Sequence, residues 1–185
     1  MDTGCNSKRG AEMKIYFVRH GQSEQNFLGE VRGAEEWQGS AGGLTAKGKA
    51  QALAAAEKLR TKSIEILIAS SHDRGQETAE IIAKKLGAPI TTSSLFVERR
   101  NPTEIWYTFE DDPGVKATVD LLKKNFHNND WRHSDEENAS DLLRRARQAL
   151  DYLESLPYET IAVVSHGAFL RALFSLMLPP HYTRW

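Results

Sequence analysis

A single cysteine, Cys5, is all the thiol this chain carries, and it lies in a polar N-terminal stretch. A lone thiol forms no internal disulfide, which excludes a disulfide-stapled scaffold and fits a reducing cytoplasm, the expected location. Long apolar runs are also missing. Nothing approaches the roughly 18 residues of a membrane span, so no membrane partner is expected. The opening "MDTGCNSKRGAEM" lacks the apolar centre of a signal peptide and reads as a tail over residues 1–13, with Met13 as an alternative start. Charge of one sign is not in excess. Lys plus Arg number 24 against 25 Asp plus Glu, a net charge of −1, which argues against a nucleic-acid partner. No internal repeat or low-complexity segment stands out, and no Gly-x-x-x-x-Gly-Lys-Ser/Thr loop is present, so a nucleotide P-loop is excluded.

What remains is a chain of 185 residues, 40% hydrophobic and 26% charged, long enough for one domain with a sizeable core, expected over residues 14–185. Apolar runs at Ile15–Val18, Ile64–Ala69 and Thr160–Ser165 predict buried strands, with a shorter one near Ile90–Thr92. A glycine-rich loop is expected over residues 29–43, with Trp37 in it as a lid candidate. Between the strands lie helical patterns. One runs from an N-cap at Thr45 to Arg60. Another has Asp73 as its cap and stops at Gly87 and Pro89. A third covers Pro113–Phe126, and a fourth residues 139–156 with an apolar face of Leu142, Leu143, Ala146, Ala149, Leu150 and Leu153. A last apolar helix spans Phe169–Leu178. Strands alternating with helices predict an α/β three-layer sandwich, a mostly parallel central sheet with helices on both faces.

In such sheets ligands bind beyond the carboxyl ends of the strands. Three strands here end in polar clusters: Arg19-His20-Gly21, Ser70-Ser71-His72-Asp73-Arg74 and Ser165-His166-Gly167. The topology therefore gathers two arginines and two histidines at one rim. Guanidinium groups grip phosphate oxygens in a fork and stay charged at working pH. Helices starting near Arg74 and after His166 add N-terminal amides. With no cysteine at the rim, cysteine-phosphatase chemistry is excluded. A neutral imidazole can attack phosphorus instead, and neighbouring arginines favour that neutral form. The second histidine, if protonated, would stabilise charge on the phosphoryl oxygens. The leaving alkoxide needs a proton, and Glu98, after "LFV", is the best-placed carboxyl.

These segments resemble the histidine phosphatase superfamily, which includes the cofactor-dependent phosphoglycerate mutases. "RHGQSEQN" matches the family's Arg-His-Gly-x-Ser-x-x-Asn motif, "LTAKGKAQA" its following helix, "ASSHDRGQETAEII" its Ser-Ser-x-x-Arg-x-x-x-Thr-Ala segment and "VVSHG" its second histidine. The matches are collinear from residue 14 to about 178. The resemblance implies His20 as the phosphorylated nucleophile, with Arg19, Arg74 and His166 as the phosphate pocket. Asn26 is a further polar contact to the phosphate, Ser23 is a motif position counted with the phosphate-binding residues, Gly167 offers a backbone amide to the phosphate, and Glu98 is the proton donor. It implies no metal and no cofactor, with a small phosphorylated metabolite as substrate. The stretch from Glu98 to His166 is shorter than in typical mutases, which favours hydrolysis over phosphoryl return to a second hydroxyl. An inactive phosphate-binding scaffold, the other alternative, would show a replaced nucleophile or arginine, and neither is seen. A phosphohistidine signalling phosphatase would need a flat, open site.

The simpler readings are these. His72 is expected to be a loop residue. His127, His133, Asp130 and Asp135 match no metal template and read as a solvated loop. Trp106 and Tyr107 line the pocket or pack the core. Arg99 and Arg100 would hold Glu98 ionised if they approached it, so their side chains are expected elsewhere, at a second anionic group of the substrate. The chain stops at "PPHYTRW", where family members continue into another strand, so a missing sheet-edge strand is expected.

Overall fold

The computed structural model describes residues 13–32, 36–37, 42–109, 111–125 and 128–178. The tail before Met13, the 179–185 segment, His127, Trp37's side chain and residues 33–35 and 38–41 of the expected glycine-rich loop lie outside the described residues.

Apolar stretches build the strands of the sheet; the two central ones, over residues 66–70 and 160–165, are buried on both faces, the first is half-buried, and the edge strand over residues 90–93 is largely exposed. The strands are β1 (Lys14–Arg19), β3 (Ile66–Ser70), β4 (Ile90–Ser93) and β6 (Thr160–Ser165). They form one four-stranded sheet in the order β1-β6-β3-β4, parallel throughout. Side chains alternate across a strand, so each strand feeds two cores. Ile66, Ile68, Ile161 and Val163 face one side and pack with Leu142, Ala146, Ala149, Leu150, Leu153 and Phe169. These belong to α5 (Ala139–Ser155) and α6 (Gly167–Met177). Leu67, Ala69, Ala162 and Val164 face the other side and pack with Ala56, Leu59, Ala79 and Ile82, from α2 (Ala46–Leu59) and α3 (Asp73–Leu86). The expected three-layer sandwich is therefore present. Among the described residues no helix is long and apolar enough to cross a membrane.

The helix boundaries follow local chemistry. Thr45 caps α2, its Oγ1 accepting from the Gly48 amide at 3.0 Å. Gly87 closes α3 with φ 70°, a left-handed conformation that glycine adopts without strain. At the start of α3 the expectation fails. The cap is His72, with no side-chain cap bond, and Asp73 is already helical. Asn138 caps α5 through the Asp141 amide at 2.9 Å. The helix expected from Pro113 forms as α4 (Lys116–Asn125).

The other correction concerns residues after β1. Instead of running directly into loop, the chain forms α1 (Glu24–Arg32), followed by β2 (Glu36–Trp37), which pairs antiparallel with β5 (Thr108–Phe109). The start of α1 is written in the Ser-x-x-Asn spacing. Asn26 Oδ1 accepts from the Ser23 hydroxyl (3.0 Å) and amide (3.3 Å), while Ser23 Oγ accepts from the Asn26 amide at 3.3 Å. This reciprocal cap satisfies donors at the helix start.

Two glycines bring α2 against the turn after β1. A Cβ on Gly48 would lie 2.1 Å from the carbonyl oxygen of Gln22, and one on Gly21 would lie 2.4 Å from the carbonyl oxygen of Gly48. Two opposing effects decide what Gly48→Ala does. Alanine gains up to about 1 kcal/mol of helix propensity. Steric overpacking against backbone costs about 1–3 kcal/mol, and backbone cannot rotate aside as a side chain would. We expect net destabilisation of about 1–2 kcal/mol, read from the urea midpoint. A midpoint equal to or above the parent's would refute the close-approach account.

Candidate active site

The parallel ladder delivers the polar clusters to one rim. Arg19 pairs with Ser165 in register, and Ala69 pairs with Val164. One residue on, the His20 amide donates to the Ser165 carbonyl at 3.0 Å. The turn that follows is tied to α3, because the Gly21 amide donates to Thr78 Oγ1 (3.1 Å), which donates to the Arg74 carbonyl (2.7 Å). Thr78 of the "RGQETA" stretch thus joins the turn carrying His20 to the helix carrying Arg74.

The His20 and His166 rings lie 4.9 Å apart between centroids. His20 Nδ1 is 2.7 Å from the Gly21 carbonyl oxygen. A carbonyl only accepts, so Nδ1 carries the proton and a neutral ring keeps its lone pair on Nε2. The ring is neutral because its pKa is pushed down from 6.5 to about 3, first by burial, then by the Arg74 charge, with Arg19 and His72 contributing less. The arginines act as expected, but burial is the larger cause. His166 is fully buried, with Nε2 2.7 Å from Ser70 Oγ and Nδ1 without a hydrogen-bond partner among the described residues. Burial, followed by Arg74, holds its pKa well below 6.5. It stands in the site as a neutral ring and not as an imidazolium.

Arg74 is 1% exposed. Its Nη2 donates to His72 Nδ1 at 3.3 Å, and Glu98 and Asp73 supply nearby opposite charge. His72 is the residue that sequence reasoning missed. It is a partly buried member of the cluster, 4.9 Å edge-to-face from His166, with its pKa lowered to about 4 chiefly by burial and then by Arg74. Its place in the same strand-end cluster as Arg74 was the available signal. Tyr107, left open between pocket and core, is 54% exposed and lies within electrostatic reach of Arg74. It holds a φ of 61°, uncommon for a residue other than glycine. Trp106 instead anchors its indole N–H on the Asn101 carbonyl at 2.9 Å.

Glu98 reaches the site from the segment after β4. Its Oε2 accepts from the Ala168 amide (3.1 Å), and its Oε1 from the amides of Phe169 (2.9 Å) and Arg99 (2.9 Å). Two of these are orphan donors in the first turn of α6. Gly167 sits between the charged groups. A Cβ there would lie 3.7 Å from the Arg19 guanidinium carbon and 3.9 Å from Glu98 Oε2. Arg19, exposed at the rim, and Glu98 therefore flank one glycine.

Some expected contacts lie elsewhere. Ser23 is fully buried, and its hydroxyl, like Asn26 Oδ1, belongs to the α1 cap. Arg99 and Arg100 are engaged on protein, although Arg99 still lies within electrostatic reach of Glu98. Their Nε atoms donate to the carbonyls of Glu137 and Asp135, both at 2.9 Å. The polar loop after α4 is knitted, not merely solvated: His133 Nε2 meets Glu104 Oε1 at 2.7 Å and Asp130 accepts from Ser140 at 2.8 Å. No metal-binding group of His, Cys, Asp and Glu occurs among the described residues.

Both the sequence and the fold of this chain have counterparts. The chain is 30% identical over 174 residues to the probable phosphoglycerate mutase GpmB of Erwinia tasmaniensis, an alignment covering 90% of this chain and 75% of that one. Its fold matches a putative alpha-ribazole-5'-P phosphatase from Escherichia coli with a TM-score of 0.76 at 22% identity, over 93% of this chain and 83% of that one. It also matches a mycobacterial glucosyl-3-phosphoglycerate phosphatase solved with VO3, at a TM-score of 0.70 and 21% identity, over 88% and 80% of the two chains. The family model for the histidine phosphatase superfamily (branch 1) covers residues 15–185, the three strand-end clusters included, and the chain belongs to that superfamily.

Proposed function

We propose that this protein is a metal-independent phosphomonoester hydrolase that works through a phosphohistidine on His20, with a small phosphorylated metabolite as substrate. One observation carries the reading: the Gly21 carbonyl fixes the proton of His20 on Nδ1 in a ring kept neutral, which leaves the Nε2 lone pair as nucleophile beside Arg74 and His166. Arg19 and Arg74 hold the phosphoryl oxygens, helped by neutral His166 and by the Gly167 amide. The Nδ2 donors of Asn26 extend that contact. Nε2 forms the N–P bond as the ester P–O bond breaks, and the departing oxygen takes its electron pair and a proton from Glu98. Water then attacks phosphorus and gives its proton to Glu98. The N–P bond breaks with its electron pair returning to Nε2, so ester and water become alcohol and phosphate. The two arginines, His166 and helix-start amides supply the charge stabilisation, so no step is routed through a metal.

The second reading is a mutase, in which a second substrate hydroxyl replaces water. The 30% identity to a probable phosphoglycerate mutase favours it. The short stretch from Glu98 to His166 and the phosphatases among the solved relatives favour hydrolysis. Phosphate release from p-nitrophenyl phosphate and a panel of metabolite phosphates, with EDTA present, tests both. We expect EDTA-resistant turnover that falls on the order of 10³-fold or more in His20→Ala, with an acid-labile phosphoenzyme in the parent alone. Phosphoenzyme without phosphate release, and with transfer to a second hydroxyl, would establish the mutase. Turnover surviving His20→Ala would overturn the mechanism, and the absence of both turnover and phosphoenzyme would leave a binding scaffold.

Neutral histidines also leave a mark on stability. His20, His72 and His166 have folded-state pKa values below 6.5 and take up protons on unfolding. From about pH 6.5 down to about 4 the unfolded chain binds more protons, so stability falls with pH. The slope reaches up to about 1.4 kcal/mol per pH unit for each histidine. Urea midpoints should therefore drop between about pH 7.5 and about pH 5, and inorganic phosphate, which binds only the folded site, should offset the drop. A midpoint that holds or rises on acidification would show that the rings carry charge in the fold.

A further inference from the structure

Arg145 stands on α5, outside every motif that marks the site, yet its guanidinium is almost wholly engaged. Nε and Nη2 form a fork on Glu137, at 2.7 Å to Oε1 and 2.6 Å to Oε2. Nη1 donates to the carbonyls of Leu95 (2.8 Å) and Val97 (2.9 Å), and Nη2 reaches towards the Glu98 carbonyl at 3.4 Å. The guanidinium carbon lies 4.6 Å from the centre of the Phe169 ring. Both members of the ion pair are largely buried, with side chains 15% and 12% exposed.

A salt bridge that served only to staple α5 would need Glu137 alone. This cation instead holds three carbonyls within the four residues leading into and including Glu98. It also packs on Phe169, whose amide holds the Glu98 carboxyl. The main chain of Glu98 and the helix start that receives its side chain are thus referred to one group. The Phe96 carbonyl, between those of Leu95 and Val97, accepts from the Ser165 hydroxyl at 2.7 Å, while the Leu95 and Val97 amides bond only locally, to Ser93 Oγ and the Ser94 carbonyl. A proton donor must come within about 2.6–3.2 Å of the oxygen it serves, and a 1 Å misplacement can cost about 10²-fold in rate. We propose that Arg145, oriented by Glu137, is a positioning residue that sets the location of Glu98. The inference rests on the reading of Glu98 as proton donor. Lysine cannot replace the arginine, because an ammonium lacks the planar fork that reaches a carboxylate and three carbonyls at once.

A leaving group that needs no proton separates this role from a merely structural one. Nitrophenolate departs unprotonated, whereas an alkoxide does not. The first-turnover rate of enzyme phosphorylation is measured with p-nitrophenyl phosphate and with glycerol phosphate, for the parent, Glu98→Gln, Arg145→Lys and Glu137→Gln. Arg145→Lys and Glu137→Gln should lower the ratio of the alkyl rate to the aryl rate by at least about tenfold, in the direction of Glu98→Gln. KM for both esters should stay within about threefold. Equal loss on the two esters, or no loss, would overturn the proposal. Glu137→Gln keeps the size and one carbonyl oxygen of the native side chain, so it carries the test if Arg145→Lys does not fold. If Glu98→Gln itself leaves the ratio unchanged, Glu98 is not the proton donor, and that underlying reading fails whatever the Arg145 variants do.

Discussion

The parallel register of β1, β6 and β3 is the constraint on which the site depends. Because Arg19 faces Ser165 and Ala69 faces Val164, the three strands leave the sheet at nearly one height. Each side chain just past a strand end then has neighbours from other strands without any long excursion of the chain. A slip of one residue would exchange the two faces of a strand, sending half of each core to the wrong helix layer. Register and site are therefore enforced together: the apolar alternation that separates Ile161 and Val163 from Ala162 and Val164 also puts Ser165 where it receives the His20 amide.

On that frame the electrostatics follow from burial more than from charge pairing. Taking an imidazole out of water opposes its protonation, and for His20, His72 and His166 this outweighs the field of Arg74. Neutral rings in turn allow a buried arginine to pack among them, where an imidazolium at 4.9 Å from a second ring would add a further desolvated cation. The positive charge left in the site resides on guanidinium groups, which do not titrate, and the groups that do titrate are kept neutral. Such a division suits binding a dianion while leaving a nucleophile unprotonated.

Much of this was legible beforehand, and the reasons for the rest are specific. The strands at Ile15, Ile66 and Thr160 are short and apolar on both faces, a pattern few other structures satisfy, and their polar ends named Arg19, His20, Arg74 and His166. Helix α1 is hidden because its signal, Ser23 with Asn26, is also a family motif and reads equally as ligand contact. His72 was set aside because a lone histidine at a turn is usually incidental, and only the depth of the Arg74 pocket makes it a neighbour of His166. Arg145 left no mark at all. Apart from Glu137, its partners are main-chain carbonyls some fifty residues earlier, which have no residue identity to read.

The small sheet of β2 and β5 has a further implication. It shares no strand with the central sheet. One of its strands comes from the connection between α1 and α2, and the other from the stretch after Glu98, beside Tyr107. The floor of the site, by contrast, is built from backbone approaching backbone at Gly21 and Gly48, which leaves little room for gradual change. Divergence of ligand preference among proteins built this way has a route in the β2–β5 pair, which can be recomposed without altering a strand of the central ladder.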